Sequence, residues 1–286
     1  MGDLVMGFGW AVIGGSATGK SHSATGSPCQ DSHGWLISPD VTCLAVADGA
    51  GSRPLSGAGS EAAIRAVLEC VRAAPPLGRP SVPELFSTAR AALDELAAAN
   101  GRSPDEYATT LAVALIDQIN VSVGQVGDSI VVLRANDGET RAVAPPERFE
   151  YANETVFMTS RAWEEHFRLE TFPEDVASCI TLSTDGLRFK ILDDLALGTP
   201  FTPFFDDIFD YLTTKEGSSL GVARFIDGLD DQSGDDKTLV IAAKVVATGG
   251  ADLLVVNDFQ VTGDQMVGRI DKDHASRPSE SIERGP

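Results

Sequence analysis

The chain has 286 residues, enough for one large domain, and its hydrophobic fraction of 43% is ordinary for a protein with a full core. Its 42 acidic and 22 basic residues give a formal charge of −20, which repels nucleic-acid phosphates and anionic membrane surfaces. We therefore expect neither nucleic acid nor membrane as a partner, whereas excess carboxylate suits hard divalent cations.

The cysteines and the chain start predict a cytoplasmic protein. The four cysteines are widely spaced and form no C-x-x-C pair, which is typical of a reduced compartment. No basic and apolar leader opens the chain, and no apolar run approaches the roughly 20 residues of a membrane span.

Two strands and two helices are predicted in the N-terminal third. Residues 8–13 and Val41–Asp48 are apolar runs rich in β-branched residues, which favours strands. Apolar side chains recur at helical spacing over Gly57–Ala74 and predict a helix there. The segment Ser81-Val82-Pro83-Glu84 is a capping box, which starts a second helix that runs to about Asn100.

Strands dominate the rest of the predicted domain. Two helices are predicted, over Phe201–Thr213 and Leu220–Leu229, and Asn136-Asp137-Gly138 is a hairpin signal. Strands grouped apart from helices indicate an α+β domain with a mainly antiparallel sheet system. The predicted strands are Thr110–Ile116, Val121–Val126, Ile130–Arg134, Thr140–Ala144, Val156–Met158, Ser178–Ser183 and Lys237–Val246.

A change in composition after Val246 predicts the end of the domain. Residues 1–246 are assigned to one folded domain, and residues 247–286, rich in Gly, Asp, Ser and Arg, to a partly disordered C-terminal extension. Within the extension, Leu253–Val256 is an apolar island. We interpret it as a strand or latch that docks on the domain, with a regulatory segment as the alternative.

The stretch GGSATGKS, Gly14–Ser21, fits the phosphate-binding pattern G-x-x-x-x-G-K-[ST]. A phosphate loop continues directly into a helix, whose N-terminus contributes free N–H groups. Here Gly26, Ser27 and Pro28 lie where the second turn of that helix belongs. The context therefore predicts a Gly/Ser-rich turn between two strands rather than a nucleotide site.

Aspartates recur at the ends of the apolar strands. Asp48 follows VTCLAVA, Asp128 follows VGQVG, and Asp185 follows ITLST, while Asp235-Asp236 opens the last strand. Carboxylates at strand ends can converge on one cleft, where they repel each other unless cations lie between them. The pattern therefore predicts a site for divalent cations.

Five short segments occur in this order: CQD (29–31), VADGAGS (46–52), TTLAVALI (109–116), VGQVGDS (123–129) with LSTDGL (182–187), and GDDKTLVIA (234–242). Their order and spacing resemble the metal-dependent serine/threonine protein phosphatases of the PP2C (PPM) type. The G-x-S-H stretch before CQD is similar to a bacterial branch of that family. The resemblance spans residues 30–243 and accounts for GGSATGKS as part of the N-terminal segment.

The resemblance implies a four-layer αββα sandwich, in which two packed, mainly antiparallel sheets are flanked by helices. It also implies two Mn²⁺ or Mg²⁺ ions in a cleft at one end, and a third, weaker ion at Asp128 and Asp185. Asp48 would bridge the first two ions, with the Gly49 carbonyl as a further ligand, and Asp185 and Asp235 would bind one of them. Asp31 would also belong to the metal site, where it would orient the metal-bound attacking water either as a direct ligand or from behind one.

The implied activity is hydrolysis of phosphoserine and phosphothreonine by a metal-activated water, with Asp31, Asp48 and Asp185 as the catalytic residues. The implied partner is a phosphoprotein, namely a bacterial serine/threonine kinase or its target. The alternative is a catalytically weak or inactive phosphatase-like binding module.

Three departures from the family pattern bear on that alternative. Residues 23–30 contain no arginine for the substrate phosphate, so His22 and Arg53 are the candidate phosphate-binding residues. Gln30 stands where the family usually has Glu, which removes one charge beside the metals. Ala50 stands where some members have a histidine that donates a proton.

Overall fold

The structure is a computed structural model that describes residues 8–75, 78–145, 155–213, 218–230 and 232–246. In these ranges the helices are α1 Lys20–Thr25, α2 Ser56–Ala73, α3 Val82–Ala99, α4 Arg188–Ile191, α5 Thr202–Thr213 and α6 Ser219–Gly228. The strands are β1 Phe8–Ala17, β2 Ser32–Ile37, β3 Thr42–Ala47, β4 Leu111–Ile116, β5 Asn120–Val126, β6 Ile130–Ala135, β7 Thr140–Val143, β8 Arg168–Pro173, β9 Ala177–Ser183, β10 Leu192–Asp194, β11 Thr199–Pro200 and β12 Lys237–Val246.

The strands form two five-stranded antiparallel sheets and one small pair. The first sheet has the order β1-β12-β9-β6-β7, and the second has the order β2-β3-β4-β5-β8. The two sheets pack face to face, α2 and α3 cover the second sheet, and α4, α5 and α6 cover the first. This arrangement confirms the predicted α+β class and the four-layer αββα sandwich.

The central strands are apolar throughout because both of their faces are buried. In β4, Leu111, Val113 and Leu115 pack under α2 and α3, whereas Ala112, Ala114 and Ile116 lie between the sheets. Successive side chains of a strand point to opposite faces, so an uninterrupted apolar run supplies two cores at once. The same alternation in β12 divides its side chains between the sheet interface and the layer of α5 and α6.

The long helices begin and end close to where the sequence predicts them. The Ser81 backbone N–H and hydroxyl both donate to the Glu84 carboxylate, at 2.6 and 2.8 Å, so the capping box is formed. In α2 the buried residues Ala63, Ile64, Val67, Leu68 and Val71 recur at helical spacing against the second sheet.

Four strands (β2, β8, β10 and β11) and two helices (α1 and α4) were not predicted from the sequence, and one predicted strand is wrong. Val156–Met158 is not a strand: it is irregular and leads into a turn at Met158, whose N–H donates to the Thr109 carbonyl. β2 and β8 were missed because both mix polar and apolar residues without strict alternation. The six-residue helix α1 occupies what was interpreted as a turn, and it ends at Gly26, whose φ is 70°.

Two further expectations concern membrane spans and the C-terminal extension. None of the helices in the ranges that the structure describes is both long and apolar enough to cross a membrane. Residues 247–286, with the island Leu253–Val256, lie outside the described residues.

Candidate metal centre

The topology brings the strand-end aspartates of the second sheet together. In the β2–β3 pair, Ser32 lies opposite Ala47, so Asp31 immediately before β2 and Asp48 immediately after β3 flank the same edge. The Asp48 N–H donates to Thr110 Oγ1 at 2.9 Å, and its carbonyl accepts from the Thr110 N–H at 2.8 Å. These two bonds fix the backbone of Asp48 and therefore the position from which its carboxylate extends.

The first sheet brings its own aspartates to the same place. In β9, Ser183 lies opposite both Leu239 of β12 and Ile130 of β6. Asp185 follows the end of β9, Asp128 precedes β6, and Asp235 precedes β12, so all three lie at one end of this sheet. Thr184 and Thr238 then bridge the two sheets, because both hydroxyls donate to Asp31 Oδ2, at 2.7 and 2.8 Å.

The carboxylates interact strongly with one another. Burial raises the pKa of Asp31 to about 8, and the charges of Asp236 and Asp235 add to the rise. Burial also raises the pKa of Asp48 well above its ordinary value, and four other carboxylates contribute: Asp31, Asp185, Asp235 and Asp128. A raised carboxyl pKa means that the ionised form lacks compensating positive charge at this cleft.

The Asp185 carboxylate has one oxygen without a hydrogen-bond partner among the described residues. This atom is the buried Oδ1, while Arg188 approaches Oδ2 at 3.4 Å. Burial and the charges of Asp128 and Asp235 raise the pKa of Asp185 to about 6, with Arg188 and Asp48 acting in the opposite direction. Asp128 itself accepts a hydrogen bond from Thr155 at 2.9 Å.

The donor set fits hard divalent cations. Unpartnered carboxylate oxygens that repel one another are the ligands that Mg²⁺ and Mn²⁺ prefer. In the described part of the chain, no three His, Cys, Asp or Glu side chains are placed so that they could hold a metal ion as they stand. The Asp185 Oδ1 atom, which has no hydrogen-bond partner among the described residues, is an oxygen available to a cation.

Two glycines permit the close approaches around this centre. A Cβ at Gly49 would lie 2.7 Å from the Gln30 carbonyl oxygen, so a side chain does not fit between Asp48 and the segment before β2. A Cβ at Gly186 would overlap the Asp236 carbonyl oxygen. Both positions therefore require glycine if Asp48 and Asp185 are to approach the other carboxylates.

Asp236 is a site residue to which the sequence analysis gave no role. It is buried, its Oδ1 accepts from the Gly19 N–H at 2.8 Å, and its Oδ2 accepts from the Gln30 N–H at 2.6 Å. The same Oδ2 lies 2.8 Å from His22 Nδ1. Asp236 therefore holds the start of α1 and the segment before Asp31 against the first sheet.

The two candidate phosphate-binding residues differ in their surroundings. His22 is mostly buried, and its Nδ1 is already bound to Asp236. Arg53 is exposed, and its guanidinium contacts no partner among the residues that the structure describes. Arg53 lines a cleft of about 690 Å³ between the segment Ser27–Gln30 and the loop that follows Gly49.

The apparent nucleotide motif is divided between a strand and a short helix. Gly14 and Gly15 belong to β1, where they pair with Val240 and Leu239. The N–H of Gly19, which a phosphate loop would present to a nucleotide, donates to Asp236 instead. The predicted absence of any helix here is wrong, but α1 is only six residues long.

Comparison with known proteins gives a family and a fold. A family model described as "Protein phosphatase 2C" matches residues 18–226. No curated protein matches the chain.

Several solved structures share the fold at low sequence identity. The catalytic domain of the serine/threonine protein phosphatase PstP, solved in complex with two manganese ions, is 21% identical, with a TM-score of 0.58 over 84% of this chain and 100% of that one. The serine/threonine phosphatase Stp1 from Staphylococcus aureus is 16% identical, with a TM-score of 0.56 over 84% of this chain and 95% of that one. RsbX in complex with magnesium is 16% identical, with a TM-score of 0.53 over 85% of this chain and 98% of that one.

Proposed function

Because the chain belongs to the protein phosphatase 2C family of serine/threonine phosphatases, we propose that it is an active enzyme that hydrolyses phosphoserine and phosphothreonine in proteins. The observation that carries the proposal is the set of mutually repelling strand-end carboxylates, with Asp185 Oδ1 unsatisfied. An arrangement of this kind gains its stability from bound divalent cations.

We assign the cation ligands from the positions of these carboxylates. Asp48 and the Gly49 carbonyl would serve two ions in common, Asp185 and Asp235 one of them, and Asp128 with Asp185 a third. Bound structures of PstP with manganese and RsbX with magnesium support Mn²⁺ or Mg²⁺ as the metal. Two such cations supply a clamp on the phosphoryl group and lower the pKa of a water that attacks it.

The chain's own residues orient that water and exclude a protein nucleophile. Thr184 and Thr238 hold Oδ2 of Asp31, which leaves Oδ1 to accept a hydrogen bond from the attacking water. Burial raises the pKa of the Cys29 thiol far above its usual range, and Asp31 and Asp236 add to the rise. A thiolate nucleophile is therefore not available beside the metal centre.

For the substrate phosphate we assign Arg53 as the ligand and His22 as a positioning residue. Arg53 carries a free guanidinium into the cleft, and a guanidinium offers a phosphate two parallel hydrogen bonds. The Nδ1 atom of His22 is bound to Asp236, and this contact fixes α1 beside the cleft.

The substrate class follows from the family and the partner from the chemistry. A phosphoprotein phosphatase opposes a kinase, so a bacterial serine/threonine kinase or its target in the cytoplasm is the proposed partner. The alternative, an inactive phosphatase-like binding module, is favoured by Gln30, which gives the centre one carboxylate fewer than the usual Glu.

A metal-dependence assay separates the two functions. Wild-type protein should release phosphate from a phosphothreonine peptide with Mn²⁺ or Mg²⁺ and lose this activity in EDTA. Asp48→Asn should lose at least about 100-fold in kcat, because a shared metal ligand has no substitute. The exposed Asp193→Asn serves as the control and should keep full activity. Phosphate release that survives EDTA, or no release by folded wild-type protein, would reject the proposed enzyme.

The role of Arg53 is tested by its effect on substrate binding. Arg53→Ala should raise KM for phosphopeptides about tenfold or more, since a charge-assisted contact to phosphate contributes 1.5–3 kcal/mol as an order of magnitude. Arg224→Ala is the control, because Arg224 is exposed like Arg53 but lies on α6. His22→Ala should instead lower the melting temperature. A raised KM in His22→Ala with an unchanged melting temperature would exchange the two assignments.

A further inference from the structure

A chain of three hydrogen bonds connects His33 to the Asp31 carboxylate through the first sheet. Asp31 Oδ2 lies 2.8 Å from Thr238 Oγ1, Thr238 Oγ1 lies 2.7 Å from Ser16 Oγ, and Ser16 Oγ lies 2.8 Å from His33 Nδ1. Asp31 and His33 belong to the second sheet, whereas Ser16 of β1 and Thr238 of β12 belong to the first. Asp31, His33 and Thr238 are all buried.

The hydrogens in this chain can be assigned by counting donors. An ionised carboxylate only accepts, and each hydroxyl has a single hydrogen to donate. Thr238 gives its hydrogen to Asp31, so the contact between the two hydroxyls requires Ser16 to donate to Thr238. Ser16 then has no hydrogen left, and Nδ1 of His33 must carry the proton of the third bond. The opposite tautomer reverses the chain and takes the Thr238 hydrogen away from Asp31.

We propose that His33, Ser16 and Thr238 form a directional relay that fixes the orientation of the Asp31 carboxylate towards the metal centre. The three are positioning residues, and the proposal rests on the proposed function, in which Asp31 is ionised beside the cations. Thr184 donates to the same Oδ2 and accepts from the Thr238 N–H at 3.0 Å, so Oδ2 is held by two donors. The carboxylate is therefore prevented from rotating, and Oδ1 keeps its direction.

The His33 ring is itself held in place by its neighbours. It stacks on the Trp35 ring with centroids 5.9 Å apart and an interplanar angle of 18°. Stacking fixes the ring plane, and the relay fixes which nitrogen carries the proton. Partners of this kind behind a metal site typically contribute 10- to 100-fold in metal affinity.

The first test reads the tautomer directly. In the full-length, Mg²⁺-saturated protein, long-range ¹H–¹⁵N correlation spectra of the histidine rings distinguish a protonated Nδ1 from a protonated Nε2. His33 should carry its proton on Nδ1, and Ser16→Ala should alter this signal. A His33 protonated on Nε2 alone would overturn the relay.

The second test measures Mn²⁺ affinity by calorimetry, without reference to activity. Thr238→Val should weaken Mn²⁺ binding about tenfold, because it removes a donor to Asp31. Ser16→Ala should weaken it about two- to fivefold, because the Thr238 hydroxyl that donates to Asp31 is still present. Thr238→Ser, which restores a hydroxyl, should recover most of the affinity. Ser183→Ala removes a buried hydroxyl of β9 that donates to the Thr184 and Thr238 carbonyls, and this variant should bind Mn²⁺ as the wild type does.

The outcomes separate this proposal from the proposed function. Wild-type protein that binds no Mn²⁺ would overturn both, because no cation would then act on Asp31. Wild-type binding with normal affinity in Ser16→Ala would overturn the relay alone. Equal losses of affinity in Ser16→Ala and Ser183→Ala would show that the hydroxyls only hold the sheets together, which also overturns it.

Discussion

Without divalent cations, the protein is expected to lose stability as the pH rises from about 4 to about 8. The pKa of Asp185 is raised to about 6 and that of Asp31 to about 8, against an unfolded value near 3.8. In this window the folded state binds more protons than the unfolded state, so the free energy of unfolding falls with rising pH. The stability that the protonated carboxyls of Asp185 and Asp31 contribute is fully present below about pH 4. It is lost as the pH rises through the raised pKa of each group.

The size of the effect follows from the shift at Asp185. A change from 3.8 to about 6 is about two pKa units, or about 3 kcal/mol at 1.36 kcal/mol per unit. The Asp185 side chain is 19% exposed, so solvent screens this interaction only partly. Asp31 adds to the loss at higher pH. A loss of about 3 kcal/mol is a large part of the roughly 5–15 kcal/mol that stabilises an ordinary domain.

Urea denaturation in EDTA at pH 4.0, 6.0 and 8.5, compared with saturating Mg²⁺, measures this dependence. Bound Mg²⁺ should raise the free energy of unfolding most at pH 8.5, because it stabilises the ionised carboxylates. Asp48→Asn should stabilise the metal-free protein at pH 8.5 and remove most of the Mg²⁺ response, whereas Asp193→Asn should do neither. Metal-free stability that stays constant or rises over this range would refute the electrostatic reasoning.

Three further predictions concern the surroundings of the centre. Gly186→Ala should lower the free energy of unfolding by about 2 kcal/mol or more in urea denaturation, because its Cβ would overlap the Asp236 carbonyl, whereas Gly228→Ala meets open space and serves as the control. Calorimetry with Mg-ATP should show no micromolar binding in wild type or Lys20→Ala; binding that Lys20→Ala abolishes would restore the nucleotide hypothesis. A chain ending at Val246 should fold and keep Mg²⁺ affinity, and an insoluble product would place residues 247–286 within the folded domain.

The aspartates could be located from sequence because strand ends are a local signal. An apolar run predicts a buried strand, and a carboxylate directly after the run must lie at the edge of the sheet. Asp48, Asp128 and Asp185 were found in this way, and the structure places all three among the interacting carboxylates. The family resemblance, rather than the run itself, gave each of them a separate role.

The missed strand β2 shows where local signals end. Its sequence SHGWLI begins with two polar residues, although Ser32 and His33 are both buried. Their burial depends on distant partners, since Ser32 bonds to Ser60 at 2.9 Å and His33 to Ser16 at 2.8 Å. A polar residue is buried at low cost only when such partners exist, and no sequence window around β2 contains them.

Asp235 and Asp236 show the same limit within a single pair of residues. The charges of both residues raise the pKa of Asp31, but their carboxylates have different partners. Asp235 accepts from the Asp236 N–H at 2.9 Å, whereas Asp236 lies beside Gly19 and His22, where the pairing of Ala17 with Lys237 places it. That register depends on residues more than 200 positions apart, which explains why Asp236 had no role in the sequence analysis.

The resemblance of GGSATGKS to a phosphate loop has a physical basis in the same contact. Both structures need a glycine where the chain passes close to an anion at the start of a helix. In this protein a Cβ at Gly19 would overlap the Asp235 backbone, and the Gly19 N–H binds the Asp236 carboxylate. The anion is thus part of the protein itself. The motif holds Asp235 and Asp236 beside the other strand-end carboxylates, and this contact accounts for its glycine without a nucleotide.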